Sequence, residues 1–310
     1  VPGDVSLASL GRVGFVGVGA AGATLTRALD ARGATIAAIA SRHPDRAEAL
    51  AAALTSAPQI TSPEGVVQAS DTIFLAVPDD VITPLAETLP WRPEQAAVHL
   101  SGARGAAALA SAAARDTRTA ALHPLMTFTR TAAPPSADAA LDRLRGCSWA
   151  LEASDDALAG ALTVLVAALD GRIFRLAADD RVPYHIAAVL ASNYVTALLG
   201  AAVHLWEPFD VPSGTALPAL LPLLRATVAN LETAGLPDAL SGPIARGDLT
   251  TIAAHLAWLD DHAAHDPALA DLRAAYIALA RLAVPLAQAK GALLPPAAAE
   301  LRALLDAAQQ

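Results

Sequence analysis

Three glycines near the start of the chain have the spacing G-x-G-x-x-G: Gly17, Gly19 and Gly22. An apolar run, Val13 to Val18, leads into them, and a helix-like segment, Ala20 to Arg32, follows, closed by Gly33 and a second apolar run that ends at Ala40. The order predicts strand, tight turn, helix and strand. Gly17 permits the turn, Gly19 removes the side chain that would hold a pyrophosphate off the backbone, and Gly22 lets the helix pack on the strand. The free N–H groups and positive dipole end of that helix, at Ala20 and Ala21, then face the two phosphates of a dinucleotide. A bare glycine triplet is weak; its setting in this pattern makes it a dinucleotide site.

The second run ends in Ala40-Ser41-Arg42-His43, where an NAD site places a carboxylate on the ribose 2′-hydroxyl. No carboxylate is present. Ser41 and Arg42 suit a 2′-phosphate through charge-assisted hydrogen bonds, so the expected cofactor is NADP(H) rather than NAD(H) or FAD. The alternative is that Arg42 is a solvated residue ahead of a helix starting at Pro44.

Three further strand ends carry polar or proline residues: Val77-Pro78-Asp79-Asp80, His99-Leu100-Ser101-Gly102 and Leu122-His123-Pro124-Leu125. Parallel sheets bind ligands outside the carboxyl ends of their strands, which assigns Val77, Pro78 and Asp79 to the cofactor and Ser101 and Gly102 to its nicotinamide side. His123 is a candidate proton donor. The same residues are also ordinary turn formers. Thr129 to Ala137 has loop composition and is expected to cover the mouth of the cleft.

These groups need a scaffold of parallel strands. Short apolar runs alternate with helix-like segments from Arg12 to Leu176, predicting a Rossmann-like, doubly wound parallel sheet. The expected strands are Val13 to Val18, Thr35 to Ala40, Thr72 to Val77, Ala97 to Leu100, Thr119 to Leu122, Ser148 to Leu151 and Arg172 to Leu176. After Asp179 only helical periodicity remains, in Pro183 to Trp206, Leu217 to Thr233, Leu249 to His265, Pro267 to Ala289 and Pro296 to Ala308. The expected organisation is α/β: an NADP-binding domain over residues 1–178, then an all-helical substrate and dimerisation domain over 179–310.

Composition bounds the function. With 310 residues and 54% hydrophobic content the chain can bury two sizeable cores. A net charge of −9, a pI near 5.3 and scattered basic residues exclude a nucleic-acid or anionic-membrane partner. The single cysteine, Cys147, offers no internal disulfide and no metal cluster, fits a reducing cytoplasm, and is expected as a small buried hydrophobe at a strand start. No metal site is expected; His262 and His265 beside Asp260, Asp261 and Asp266 read as a solvated helix end. No signal peptide is expected, and Val1 to Asp4 reads as a loose tail. Ile186 to Trp206 has no Lys, Arg, Asp or Glu over roughly the length of a membrane span. It holds Ser192, Asn193, Thr196 and His204 and is expected as a buried helix in a soluble domain.

The stretches Val98-His99-Leu100-Ser101-Gly102-Ala103, Leu122-His123-Pro124-Leu125-Met126-Thr127-Phe128, Tyr184 to Tyr194 and Gly242-Pro243-Ile244-Ala245-Arg246-Gly247-Asp248 resemble a family of bacterial proteins. That family joins a Rossmann-like oxidoreductase domain to a helical C-terminal domain of unknown function, and the resemblance runs from about Arg12 to Leu282. It implies the fold and the cofactor type. The N-terminal half is similar to pyrroline-5-carboxylate reductases and deazaflavin-dependent NADP oxidoreductases, and some members look like ketopantoate reductases. Those reductases carry a catalytic Lys on the first C-terminal helix, with Asn four and eight residues later. The corresponding positions are His185, Val189 and Asn193, so His replaces Lys and Val replaces the first Asn. His123-Pro124 is similar to the His-Pro of prephenate dehydrogenases.

The resulting expectation is a cytoplasmic, NADP(H)-dependent reductase of a small oxo acid, with ketopantoate the first candidate and an imine or prephenate-type substrate the alternative. His185, helped by Asn193, protonates the substrate heteroatom, and Arg246, bracketed by glycines in a loop, holds a carboxylate. The alternatives are that His185 is a core residue, that His123 is the donor, and that Arg246 pairs with Asp248 to pin its loop. A non-catalytic NADP-binding sensor or scaffold is the rival class. The helices carry more apolar surface than one bundle buries, so a homodimer is expected.

Overall fold

The computed structural model describes residues 7–209, 211–212 and 214–309; the expected tail, Val1 to Asp4, lies outside the described residues. The chain divides into two compact units, Val1–Ser192 and Asn193–Gln310.

The first unit alternates strand and helix: β1 (Val13–Val16), α1 (Ala20–Ala31), β2 (Ile36–Ala40), α2 (Pro44–Ala53), β3 (Gln59–Ile60), α3 (Pro63–Ala69) and β4 (Thr72–Leu75). It continues through α4 (Asp79–Thr88), β5 (Ala96–His99), α5 (Ala110–Ala113), β6 (Arg118–Pro124), α6 (Ala137–Leu144), β7 (Ser148–Ala153), α7 (Asp156–Ala168), β8 (Arg172–Arg175) and α8 (Arg181–Ala191). The strands form one sheet in the order β3-β2-β1-β4-β5-β6-β7-β8. Every residue of β1, β4 and β5 is buried, because helices cover both faces of a parallel sheet. One core gathers Phe15, Leu25, Leu29, Phe74, Trp149 and Leu162, the other Ile73, Leu75, Ile82 and Trp91. Phe15 and Phe74 are register partners on β1 and β4, and their rings stack at 5.0 Å. The edges are a two-residue strand and the arginine-bearing β8, a composition that discourages further pairing.

The expected parallel sheet is corrected at one place. β7 runs antiparallel to β6, with Pro124 opposite Trp149 and Ala120 opposite Ala153, and β8 runs parallel to β7. The connection through α6 starts and ends at the same edge of the sheet, where the Leu125 N–H donates to the Ser148 carbonyl at 2.8 Å, so the chain returns instead of crossing over.

The helix expected over Pro183 to Trp206 is two helices. α8 stops at Ser192, whose backbone (φ −130°, ψ −74°) is not helical, and α9 (Asn193–His204) begins the second unit. The change from strands to helices near residue 179 therefore precedes the division between units, because α8 stays with the sheet through Arg181 and Tyr184. The expected burial of this stretch is also corrected: an 18-residue window within residues 178–204 has mean hydropathy 1.8, and none of that window is buried.

The second unit continues with α10 (Ala216–Ala234), α11 (Pro243–Arg246), α12 (Leu249–Ala263), α13 (Pro267–Ala289) and α14 (Pro295–Ala307). Ile252, Ile277, Val284, Leu301 and Leu305 form its core. Asp248 caps α12 by accepting from the Thr251 N–H at 3.1 Å, and Asp266 caps α13 by accepting from the Ala268 N–H at 2.9 Å. Gly235 ends α10 at φ +68°, a conformation that favours glycine.

Candidate functional site

The glycine turn has the geometry its spacing predicts. Gly17 sits at φ +98°, and a Cβ there would lie 2.3 Å from the Ala76 carbonyl oxygen. A Cβ on Gly22 would lie 2.3 Å from the Gly17 carbonyl oxygen and 2.9 Å from the Ala76 Cβ, so this glycine brings α1 against the turn. Gly19 has nothing within 4 Å of where a Cβ would stand. The space is open where a pyrophosphate must approach the backbone, which is the fit NADP requires.

Beside this turn lies a cavity of about 330 Å³ lined by Gly17, Gly19, Ser41, Arg42, Val77 and Pro78 among others. Six of the expected cofactor residues thus meet in one place. Ala20 lines an adjoining cavity, while Asp79 opens α4 and lines neither. Ser41 Oγ accepts from the His43 N–H at 3.0 Å and shapes the turn before α2. Two arginines that the sequence reading passed over, Arg46 on α2 and Arg130 in the loop after β6, also line this cavity. Residues 128–135 line the adjoining cavity, of about 360 Å³, so the loop expected at the mouth does border the cofactor cleft.

At the ends of β5 and β6 a second cluster forms around Gly102. A Cβ on Gly102 would lie 2.9 Å from His123 Nε2 and 2.9 Å from His185 Nδ1, so the glycine leaves room between the two rings. Their centroids are 6.4 Å apart, nearly perpendicular. The His123 Nδ1 and the Tyr184 hydroxyl are 2.6 Å apart. Burial, reinforced by the nearby His185 and Arg181, pushes His123 down to about 4, and burial pushes Tyr184 up to about 12, so both stay neutral near pH 7. His185 Nδ1 is buried with no hydrogen-bond partner among the described residues.

Arg181, at the start of α8, holds this cluster to the sheet. Its side chain is 1% exposed; Nε donates to Glu152 Oε2 at 2.8 Å, Nη1 to the Ser101 carbonyl at 3.4 Å and Nη2 to the Ala121 carbonyl at 3.4 Å. A buried guanidinium requires such a partner set, since an unpaired charge there is strongly unfavourable. The link was not readable beforehand, because Arg181 and Glu152 come together only through the returning strand β7. His99 on β5 is a structural imidazole. The Ser101 N–H donates to its Nδ1 at 3.2 Å, so Nε2 carries the proton and donates to the Gly105 carbonyl at 2.9 Å. Burial holds it below the usual imidazole range.

Other expectations change. Ser101 Oγ accepts from the Ala103 and Arg104 N–H groups at 3.2 and 3.0 Å, so this oxygen shapes the turn after β5. Asn193 does not share a helix face with His185, because α8 ends before it; it opens α9 in the second unit. Arg246 lies in the short helix α11 of that unit, not in a loop, and Asp248 is engaged by Thr251 as a helix cap. Cys147 is buried ahead of β7, where burial pushes its thiol up to about 11. His262 stacks on Trp258 at 4.0 Å, and its Nδ1 is 2.8 Å from the Trp258 carbonyl oxygen.

Fold and glycine turn together define a Rossmann-type dinucleotide-binding architecture. Residues 12–101 match the family described as NADP oxidoreductase, coenzyme F420-dependent, and residues 147–283 match a domain of unknown function, DUF2520. No curated protein matches the chain. Among solved structures it is similar to BF3122 of Bacteroides fragilis, described as a candidate NADP oxidoreductase, at 22% identity and TM-score 0.69 over 90% of this chain and 100% of that one. Protein TM1727 of Thermotoga maritima follows at 23% identity and TM-score 0.64, over 90% of this chain and 99% of that one. A 1-pyrroline-5-carboxylate reductase of Streptococcus pyogenes matches at 16% identity and TM-score 0.55, over 96% and 97%. At these identities the neighbours establish the fold, and the N-terminal family match identifies residues 12–101 as an NADP oxidoreductase-type domain.

Proposed function

We propose that the protein reduces a small carbonyl compound, an oxo acid first, with NADPH, and that His185 delivers the proton. The observation that carries this reading is His185 Nδ1, buried beside Gly102 without a partner among the described residues and so in need of a hydrogen-bonding group from elsewhere. NADPH supplies a hydride when bound. Gly17 and Gly19 receive its pyrophosphate, Gly22 seats α1 against that turn, and Ser41 and Arg42 hold the 2′-phosphate. His123 is kept neutral by burial and by the neighbouring His185 and Arg181, and in this reading the proton comes from His185 instead. From Nδ1 that proton passes to the substrate oxygen as negative charge develops there. Arg181, paired with Glu152 and donating to the Ser101 and Ala121 carbonyls, holds this end of the sheet in place beside the two rings. The ketopantoate analogy is weaker than the sequence suggests, since His stands for Lys and the helix breaks before Asn193. Asn193 and Arg246 are not used in this reading.

The test is NADPH oxidation against a panel of 2-oxo acids and cyclic imines, the latter included because one neighbour is a pyrroline-carboxylate reductase. The expected result is turnover of an oxo acid that falls about 10² to 10⁴-fold in His185→Gln with unchanged NADPH affinity. Turnover of imines alone moves the reaction to C=N bonds. Tight NADPH binding with no turnover on either panel favours the sensor or scaffold class.

A further inference from the structure

Among the described residues, six arginines of the first unit pair with a carboxylate: Arg12 with Asp71, Arg27 with Asp30, Arg32 with Asp170, Arg145 with Asp142, Arg175 with Asp156 and Arg181 with Glu152. Three arginines on the cofactor cavity do not. Arg42, Arg46 and Arg130 all line it, no carboxylate does, and none of the three makes a side-chain hydrogen bond or ion pair among the described residues. Asp45 borders only the adjoining cavity. Arg46 and Arg130 belong to the wall common to both cavities, one from α2 and the other from the loop after β6, with Val18 and Gly19. Three guanidinium groups around one concavity repel each other until an anion of more than one charge enters.

We propose that Arg130 is a second clamp on the 2′-phosphate of NADPH, reaching it from the loop side while Arg42 and Arg46 reach it from the strand side. Recognition of that phosphate therefore draws residues 128–135 onto the cofactor. The loop is built for this. Arg143 Nη1 donates to the Thr127 carbonyl at 3.3 Å and Arg27 Nε, on α1, donates to the Pro135 carbonyl at 3.2 Å, fixing both ends. Between these anchors, residues 129–133 are exposed. The inference rests on NADPH occupying the glycine turn and is independent of the substrate.

The test compares dissociation constants for NADPH and NADH in the parent protein, Arg130→Gln and Arg42→Ala, with backbone hydrogen exchange of residues 128–135 under saturation by each cofactor. Loss of one charge-assisted contact predicts NADPH binding weakened about 10- to 100-fold in Arg130→Gln, with NADH changed less than about twofold. NADPH, and not NADH, slows exchange in the loop. Equal weakening of both cofactors places Arg130 on the pyrophosphate and overturns the proposal, as does no change in either. A parent preference for NADPH that Arg42→Ala removes leaves the cofactor assignment standing whichever way Arg130 falls; equal parent affinity for both cofactors defeats the assignment itself.

Discussion

The Nδ1 atom of His123 and the hydroxyl of Tyr184 are 2.6 Å apart, joining the end of β6 to the first turns of α8. The contact fixes the imidazole so that Nε2 faces Gly102. Tyr184→Phe removes the hydroxyl and leaves a buried ring nitrogen without its partner, which costs about 1 to 3 kcal/mol of stability. The expected outcome is a lower denaturation midpoint, reduced kcat and an NADPH dissociation constant within about twofold of the parent. Unchanged stability and kcat together show that the hydrogen bond positions nothing.

The same burial sets a pH dependence. His123 is depressed to about 4 in the folded protein against about 6.5 when unfolded. Between these values the unfolded chain binds more protons, so the contribution is fully present above about pH 6.5 and is lost as pH falls through 4. Urea denaturation from pH 7 down to 4 should show stability dropping by up to about 3 kcal/mol from this group, and His123→Asn should flatten that slope. A slope that survives the substitution assigns it to other groups.

Gly102→Ala is a plug. The added methyl falls 2.9 Å from both His123 Nε2 and His185 Nδ1 and must push the rings aside. Turnover should fall by at least about tenfold while NADPH affinity changes little, because a misplacement of this size at a reacting centre is costly. Undiminished kcat removes the space above Gly102 from the reaction.

Glu152→Gln leaves the Arg181 guanidinium, 1% exposed, without its counter-charge. Breaking such a pair costs about 3 kcal/mol or more, whereas an exposed pair such as Arg175 with Asp156 contributes less than about 1. Chemical denaturation of Glu152→Gln beside Asp156→Asn separates the two; equal small effects show that Arg181 finds another partner.

A second copy of the chain is our proposed cover for the apolar stripe of α8. Val182, Ile186 and Leu190 recur every four residues on one helix face, and each is more than half exposed. Light scattering is expected to give a dimer mass that Ile186→Glu reduces to the monomer. A parent monomer at all concentrations sinks the idea.

What the sequence disclosed followed its periodicity. Glycine spacing and buried apolar runs located the cofactor turn and the strands around it, since continuous apolar residues are required in a sheet covered on both faces. Strand direction left no such trace: Ser148 to Ala153 alternates in the same way whether it runs up or down the sheet. β3 is two residues long and falls below any period. The break at Ser192 was hidden because no proline marks it, while Gly200, the residue most suggestive of a break, sits inside α9. Arg46 and Arg130 escaped notice because their nearness to Arg42 is a product of tertiary folding.

That break bears on how the two matched regions divide the chain. The glycine turn, the three unanswered arginines, Gly102, His123, Tyr184, His185 and the Arg181 to Glu152 pair all lie on one uninterrupted stretch of polypeptide that ends at Ser192. The match to the domain of unknown function, residues 147–283, nevertheless spans Ser192, so the family boundary falls inside the first compact unit and ties β7, β8 and α8 to the helices that follow.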